Sequence, residues 1–418
     1  IVPFAYMAVS VALGNLGSEL EEAARVHGGG PWATARVVIP VLAPAILSAL
    51  AIGFAETISD FGVASTLAAS AHFPVATYDL FQAVDSNPSN FGAAAAVSWV
   101  LVAAAAIPIA VQARALRGRS YAVLSGRSRQ VTRRRLSPRA QILATGGAAG
   151  LFLLALGAPI TAAVFASLLK NFGVAFSAHS FTLANYRLVF NGTAGLAGPL
   201  LYSTRIAAIV ATIVALLGLV VARMMTSPSA RGMGKLIDLL LIGSVALPGI
   251  VLGAGYIFAY NLPLASHLGV DIYGTTTLLA MGYIATSLPP QARLMTGPVS
   301  QLQESLLHAA RVHGARGLNA WRHAAVPLLS RLLLWAWLLT FAKTLLELPV
   351  SQLLFPPGDP TAAVAINNFV GTSAHYGEAT AMSVIAMAEM FGVIVLGLGL
   401  FRLLAPKGWQ RIGGFIDA

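Results

Sequence analysis

Cysteine is absent from the 418-residue chain, and charged residues make up only 10% of it. The missing cysteines exclude disulfide bonds and metal sites with thiolate ligands, but they do not reveal the compartment. The low charge is more informative, because soluble globular proteins carry about 25% charged residues. Hydrophobic residues reach 57%, and the mean hydropathy is +0.77. The composition therefore predicts a membrane protein.

Long stretches of the chain contain no Asp, Glu, Lys or Arg. A helix needs about 20 apolar residues to cross a bilayer, and backbone in hydrocarbon must satisfy its own hydrogen bonds, so each stretch predicts a membrane-spanning helix. The uncharged stretches are residues 37–55, 91–113, 140–169, 206–222, 239–270 and 272–292, while 324–346 and 379–401 carry isolated charges. The predicted fold class is an all-α polytopic membrane protein.

Basic residues are concentrated in one stretch, because nine of the 26 Lys plus Arg fall in residues 114–139. Short loops rich in Lys and Arg stay on the cytoplasmic side, so this stretch is predicted to be a cytoplasmic linker held by anionic lipid, with a regulatory surface as the alternative. Residues 61–90, 261–274 and 351–380 contain no Lys or Arg and are predicted to face outward. The net charge of +11 fits this topology, and we expect no nucleic-acid partner.

The sequence AARVHG occurs twice, at residues 23–28 and 309–314. Each copy is followed at nearly the same distance by a proline, Pro40 or Pro327, that suits the first turn of a helix. Further matches keep a constant offset of 287: Phe54, Ala55, Thr57, Asp60 and Val63 pair with Phe341, Ala342, Thr344, Glu347 and Val350. This internal repeat predicts two similar halves, each with a polar helical segment, a glycine and a membrane-spanning helix.

The repeated segment resembles the EAA motif of ABC importer permeases: Glu-Ala-Ala, three residues, Gly, and a hydrophobic-Pro end. The first copy matches it with Glu22, Ala23, Ala24 and Gly28, and the second keeps Ala309, Ala310 and Gly314 but has His308 in place of the Glu. The resemblance implies that each segment is a coupling helix that docks into a groove on a separate ATP-binding subunit. The plainer alternative is an interfacial helix without a partner.

The sequence is also similar, over nearly its whole length, to fused permeases of the ferric-iron importer family, with thiamine permeases as close relatives. The similarity is carried by LEEAARVHGGGPW, FAETISDFG, RGRSYAVLSGRSRQ, and FAKTLLELPVSQLL followed by PPG. It implies the type I ABC importer transmembrane fold in the cell (inner) membrane. The implied partners are a homodimer of the ATP-binding subunit and an external substrate-binding protein, and the implied cargo is ferric iron. Thiamine, a phosphonate or another small solute are alternative cargoes, and an ATP-independent secondary transporter or a membrane-embedded enzyme is a more remote reading.

The repeat and the linker divide the chain into three parts. Residues 1–113 are predicted to form a first half of about three spans, incomplete at its N-terminus, with a coupling segment at 18–36. The basic linker at 114–139 precedes a second half at 140–418, with its core at 198–404 and a coupling segment at 301–323. The predicted spans lie near 1–13, 37–60, 91–113, 140–168, 200–222, 236–260, 275–293, 325–349 and 380–404.

Ionisable groups inside the predicted spans are candidates for the transport pathway or its gate, because each costs at least ~2.5 kcal/mol at a helix centre. They are Glu56, Asp60, Lys343, Glu347 and Glu389, of which the first four occupy matching positions in the repeat. Lys343 and Glu347 are four residues apart, so the ammonium could neutralise a carboxylate on the same helix face. A lock between helices, or a position close to external water, is the plainer alternative.

Neither a phosphate-binding loop nor a pair of catalytic carboxylates stands out, so we predict a transport subunit with no catalytic residues and no cofactor, driven by a separate ATPase. Two of the histidines, His27 and His313, lie inside the coupling segments. Four others fall in or near predicted external loops, without clustering: His72, His179, His267 and His375. We therefore predict no metal site.

Overall fold

The structure is a computed structural model of the chain. It describes residues 6, 9–10, 12–13, 19–68, 71–116, 137–170, 180–191, 196–227, 231–245, 247–267, 269–300, 302, 304–315, 319, 321–370 and 375–404. Most of the predicted first span at 1–13, most of the basic linker, His179 and parts of both predicted coupling segments lie outside the described residues.

The described residues are overwhelmingly helical, with one isolated antiparallel bridge between Leu169 and Phe181. The helices of the first part of the chain are α1 (Glu19–Val26), α2 (Pro31–Ile58), α3 (Ala76–Asp85), α4 (Phe91–Leu116), α5 (Pro138–Phe152) and α6 (Ala158–Ser167). Those that follow are α7 (Ala184–Asn191), α8 (Ala197–Thr226), α9 (Arg231–Val245), α10 (Gly249–Tyr260), α11 (Pro263–His267) and α12 (Thr276–Ser300). The last are α13 (Glu304–Val312), α14 (Val326–Leu345), α15 (Ser351–Leu354), α16 (Ala362–Val370) and α17 (Tyr376–Leu404). Five-residue π-helical turns lie at Ala64–Ala68, Leu153–Gly157 and Trp321–Ala325.

Six helical segments of the described chain are long and apolar enough to cross a membrane. They are Trp32–Ile58, Phe91–Gln112, Pro138–Ser167, Ala197–Thr226, Val326–Leu345 and Tyr376–Leu403. These segments confirm the predicted all-α polytopic membrane fold. Their length follows from the uncharged runs in the sequence, since a helix of about 20 residues matches the hydrocarbon thickness.

The sequence predicts one helical span near residues 236–260, followed by a short external loop, and here the structure differs. Helix α9 ends at Val245, and α10 begins at Gly249, directly after Pro248. Proline lacks the N–H that an interior helical position donates, and its ring clashes with the preceding turn. Hydropathy alone does not register this break, because both pieces are apolar.

The chain forms two compact units. The first comprises residues Ile1–Asp60, Pro74–Pro159 and Ala246–Val251. Within it, α2 packs against α4, and the Gln112 side chain on α4 donates a hydrogen bond to the Ser48 hydroxyl on α2, with Nε2 and Oγ 2.6 Å apart.

The second unit comprises Phe61–Phe73, Ile160–Val245 and Leu252–Ala418, and its centre is α8, which packs against α12 and α14. Small residues recur along the buried face of α8 at Ala207, Ala211, Ala215, Gly218 and Ala222. Small side chains allow membrane helices to approach closely, and van der Waals packing then holds them together. The Trp337 indole of α14 adds a polar contact, because its Nε1 donates to the Thr212 hydroxyl of α8 at 3.0 Å.

A close approach also occurs at Gly282 of α12. A Cβ atom at this position would lie 2.7 Å from Val350 Cγ1 and 3.1 Å from Leu354 Cδ1. Val350 is fully buried and β-branched, so its side chain has little freedom to move away. Gly282 therefore fixes how closely α12 packs against the turn that follows α14.

We predict that Gly282→Ala lowers stability by roughly 1–3 kcal/mol, the usual cost of overpacking a buried site. The midpoint of thermal unfolding in detergent measures the effect. Gly297→Ala is the matched control on the same helix, because a Cβ there meets nothing within 4 Å. Equal midpoints for the two variants would contradict the close packing at Gly282.

Candidate functional site

The two copies of the repeated polar segment fold as short amphipathic helices, α1 and α13. Each copy ends at a glycine with positive φ, +75° at Gly28 and +88° at Gly314. A left-handed backbone of this kind suits glycine because it has no Cβ, and it is the usual way to end a helix. The conformational requirement explains why the glycine recurs in both copies.

The backbone hydrogen bonds at the two helix ends also match. The Gly29 N–H donates to the Ala24 carbonyl at 2.9 Å, and the Ala315 N–H donates to the Ala310 carbonyl at 3.0 Å. Each bond closes the six-residue loop that defines the Schellman motif, which satisfies carbonyl groups left free at the helix end. The chain therefore forms the same turn twice. The AARVHG residues are identical in the two copies, whereas the residues on either side of them differ.

Both helices expose an apolar residue at the equivalent position. Val26 is 82% exposed and Val312 is 85% exposed. Ala23 and Ala309 are exposed beside them, as are His27 and His313. Isolated exposed valines are common, but the same residue is exposed at the same place in both copies, which makes this surface a candidate contact site. The recurrence of valine in both AARVHG copies is the sequence signal for these two positions.

One predicted pathway residue, Glu347, lies just after α14, the membrane helix that follows the second copy of the repeated segment. Glu347 accepts hydrogen bonds from the backbone N–H groups of Val350 and Ser351, at 3.0 Å to Oε1 and 3.1 Å to Oε2. The Ser351 hydroxyl lies within hydrogen-bonding distance of Glu347 Oε2, at 3.1 Å, and of the Tyr283 hydroxyl of α12, at 2.5 Å. The carboxylate thus holds together the turn between α14 and α15.

The other predicted pathway residues lie apart from this turn. The Lys343 ammonium donates to the Thr286 carbonyl of α12 at 3.4 Å. Glu389 on α17 accepts a hydrogen bond from the Thr204 hydroxyl of α8, at 2.5 Å. Glu56 is exposed in the last turn of α2, and Asp60 follows that helix. Lys343 and Glu389 thus each contact a neighbouring helix of the second unit.

Several polar contacts of the site were not identified from the sequence. Tyr283, Ser351 and Thr204 are ordinary residues of apolar segments, and no spacing marks them. Asp238 of α9 and Arg293 of α12 form an ion pair with 3.0 Å between Oδ1 and the guanidinium, although neither was selected as a candidate. Such partners are far apart in the chain, so folding alone brings them together.

Metal ligands are not grouped in the part of the chain that the structure describes, where no three His, Cys, Asp or Glu side chains could jointly hold an ion. His267 contacts the Pro263 carbonyl through Nδ1, at 2.6 Å. His375 contacts Glu378 at 3.2 Å and packs edge-on against Phe369. His72 is exposed with a positive φ of 53°. These histidines thus lie at separate places, each described by its own neighbours.

We predict that Glu347→Gln lowers the free energy of unfolding by about 1–3 kcal/mol, because an amide offers one acceptor oxygen where the carboxylate offers two, and a buried N–H loses its partner. Thermal unfolding of the purified protein measures this loss. Glu56→Gln is the control, since that carboxylate is exposed near the end of the equivalent helix. Unaltered stability in Glu347→Gln would show that the carboxylate does not hold the turn. Unaltered transport by the folded variant would exclude a role in gating.

Comparison with known proteins connects this architecture to a family. Residues 1–118 match the model of the binding-protein-dependent transport system inner membrane component. A ferric transport system permease protein of Actinobacillus pleuropneumoniae is 26% identical over 398 residues, which cover 94% of this chain and 56% of that protein. A second, from Haemophilus influenzae, is 25% identical over 84% of this chain and 54% of its own length. The chain thus spans little more than half of these relatives.

A shorter similarity reaches another transport system. A sulfate transport system permease protein of Escherichia coli is 31% identical over 104 residues, a quarter of this chain and 38% of that protein. All three relatives are permease proteins, in agreement with the helical membrane fold. The chain is therefore similar to permease components of binding-protein-dependent transport systems, over residues 1–118 to the family model and over most of its length to the ferric transport permeases.

Proposed function

We propose that this chain is the membrane subunit of an ATP-driven importer that moves ferric iron into the cytoplasm. The observation that carries the proposal is the pair of equivalent helices, α1 and α13, each ending in the same glycine turn and each exposing a valine. Two similar docking surfaces fit two copies of one ATPase subunit, so a homodimer is the partner that we propose. Closure of that dimer on ATP would move both helices together.

The proposed arrangement in the inner membrane follows from charge. The Arg-rich residues 114–139 and both coupling segments are assigned to the cytoplasmic side, since short basic loops are retained there. The segments without Lys or Arg at 61–90, 261–274 and 351–380 are assigned to the external side, where a substrate-binding protein would deliver its cargo. Anionic lipid would hold the basic linker.

Ferric iron is favoured as cargo because the relatives that align with most of this chain are ferric transport permeases. The described residues hold no group of metal ligands, and an importer supplied by a binding protein does not need one, since tight ligation would slow release. Thiamine, a phosphonate or another small solute are the alternative cargoes. The similarity to the sulfate permease covers only a quarter of the chain, so it supports the permease role and does not favour sulfate as the cargo.

An ATP-independent secondary transporter is the more remote alternative. Secondary transporters are also built from repeats, but inverted repeats would place equivalent segments on opposite membrane faces. Two polar helices that both end in a left-handed glycine turn and both expose a valine are better explained by a shared partner. The first copy has Glu22 where the second has His308, so the two docking sites need not contribute equally.

We predict that Gly28→Ala and Gly314→Ala each weaken binding of the ATP-binding subunit, because a Cβ disfavours the positive φ by roughly 1–2 kcal/mol and distorts the coupling turn. Copurification of the ATPase with the full-length permease measures binding. Gly269→Ala is the matched control, since Gly269 has a φ of +69° and lies in a segment assigned to the external side. Loss of the ATPase in the control as well would mean that the effect is general destabilisation.

We also predict that ATP hydrolysis by the complex in proteoliposomes rises in the presence of a binding protein loaded with ferric iron. The comparison is a panel of binding proteins loaded with thiamine, a phosphonate or sulfate. Stimulation by only one of these other loaded binding proteins would identify its solute as the cargo in place of iron, and the importer function would still hold. Transport without ATP, by a permease that binds no ATPase, would overturn the importer itself.

A further inference from the structure

The short helix α7 is tied to the end of the membrane-spanning segment Pro138–Ser167. Asn185 of α7 donates through Nδ2 to the carbonyls of Ser167 and Leu169, both at 2.9 Å. The next residue, Tyr186, has its hydroxyl 2.7 Å from the Ser167 hydroxyl. These bonds hold α7 at the depth at which the segment leaves the membrane.

Two further membrane helices, α8 and α17, begin beside α7. Val189 of α7 belongs to one buried cluster with Leu200, in the first turn of α8, and with Ala381, in the second turn of α17. The backbone of α17 also comes close, because a Cβ atom at Gly377 would lie 2.7 Å from Asn185 Nδ2. Three membrane-spanning segments therefore have an end at α7, which places this helix at the boundary of the membrane.

A second face of α7 carries two large apolar side chains and one basic side chain. Leu183 is 64% exposed, Phe190 is 59% exposed, and Arg187 between them is also exposed. Their spacing of four and three residues puts them on one side of a helix, and the Arg187 N–H donates to the Leu183 carbonyl at 3.4 Å, so the helical turn includes Leu183. We call these three residues the α7 stripe. Asn185 and Val189 are buried on the other side.

The exposed apolar surface of the adjoining span continues toward the α7 stripe. Phe165, near the end of that span, is 56% exposed, and its ring packs against Phe181 with centroids 6.3 Å apart. Phe181 is exposed as well and precedes Leu183 by two residues. Lys170 is the first charged residue after the uncharged stretch 140–169, and it is exposed. Apolar side chains followed at once by a basic one are typical of the change from hydrocarbon to headgroups.

The charges around α7 complement an anionic phosphate. Lys170 and Arg187 lie in a part of the sequence, residues 140–237, that contains no Asp or Glu. Glu378, in the first turn of the neighbouring α17, contacts His375 at 3.2 Å. A guanidinium can bind two oxygens of one phosphate, and its aliphatic stem can lie along apolar surface while the charge reaches the headgroups. A water-exposed protein partner would not explain why the stripe lies at the ends of three spans.

We propose that the α7 stripe is a binding site for an anionic phospholipid at the membrane boundary. Leu183 and Phe190 enter the acyl region, and Arg187 binds the lipid phosphate, as in amphipathic helices that lie in the interface. The segment Pro138–Ser167 leads away from the basic linker, so the topology proposed above puts this site in the external leaflet. The site is an addition to the proposed import function and does not depend on the cargo. A lipid held there would fix the common end of three spans in the bilayer.

The absence of cysteine allows a depth measurement on the full-length chain, since each introduced thiol is unique. Leu183→Cys and Phe190→Cys carry a nitroxide in vesicles of phosphatidylethanolamine and phosphatidylglycerol, and collisions with oxygen are compared with collisions with a water-soluble nickel chelate. Leu216→Cys, exposed within α8, is the lipid reference, and Asp85→Cys, exposed after α3, is the water reference. The oxygen-to-nickel ratio at both stripe positions is expected to exceed that at Asp85→Cys by about threefold or more. A ratio equal to the water reference, or shielding from both reagents as in a protein contact, would overturn the proposal.

The role of Arg187 has its own readout. A fluorophore on Asn191→Cys, exposed at the end of α7, reports which lipid is adjacent when either phosphatidylglycerol or phosphatidylcholine carries a quenching nitroxide near its headgroup. Quenching is expected to favour phosphatidylglycerol, and Arg187→Gln is expected to lower that preference by about fivefold, the contribution of one basic residue near an anionic surface. Arg187→Lys is the matched control and should keep most of the preference. Equal quenching by both lipids in the parent, or an unchanged preference in Arg187→Gln, would overturn the headgroup site.

Discussion

A backbone in hydrocarbon has no water to bind, so each place where this chain leaves the α-helix requires another hydrogen-bonding partner. Asn185 of α7 illustrates the constraint, because its Nδ2 donates to the carbonyls of Ser167 and Leu169 at the end of α6, both at 2.9 Å. Glu347 does the same for N–H groups after α14. Glu347, which we first considered for transport chemistry, thus also satisfies irregular backbone.

One membrane helix, α14, connects the second copy of the repeated segment to the turn that Glu347 holds. The second segment, α13, leads through a π-helical turn at Trp321–Ala325 into the 20-residue α14, about 30 Å long. Along that length, α14 is packed against α8, where the small residues Ala207, Ala211 and Ala215 allow the two helices to approach closely.

The two halves are equivalent in backbone and unequal in chemistry. Their coupling turns, the helix ends after α2 and α14, and the order of the elements that follow agree from one copy to the other. The side chains diverge at Glu22 and His308, at Glu56 and Lys343, and at Ser65 and Gln352. The recurring turn depends on glycine at one position in each copy, whereas the positions around it differ in charge and polarity. Fusion into one chain allows each half to keep its own set.

The sequence by itself determined the membrane class, the repeat, the glycine turns and most of the spans, because these depend on composition and on spacing along the chain. It also selected Glu347, but not its role. The break between Val245 and Gly249 was missed, since hydropathy does not distinguish one apolar helix from two. Only the tertiary structure joined Glu347 with Ser351 and Tyr283, and Ser65 with Asn367, because these partners are separated by up to 302 residues and no local pattern encodes which distant side chain completes a hydrogen bond.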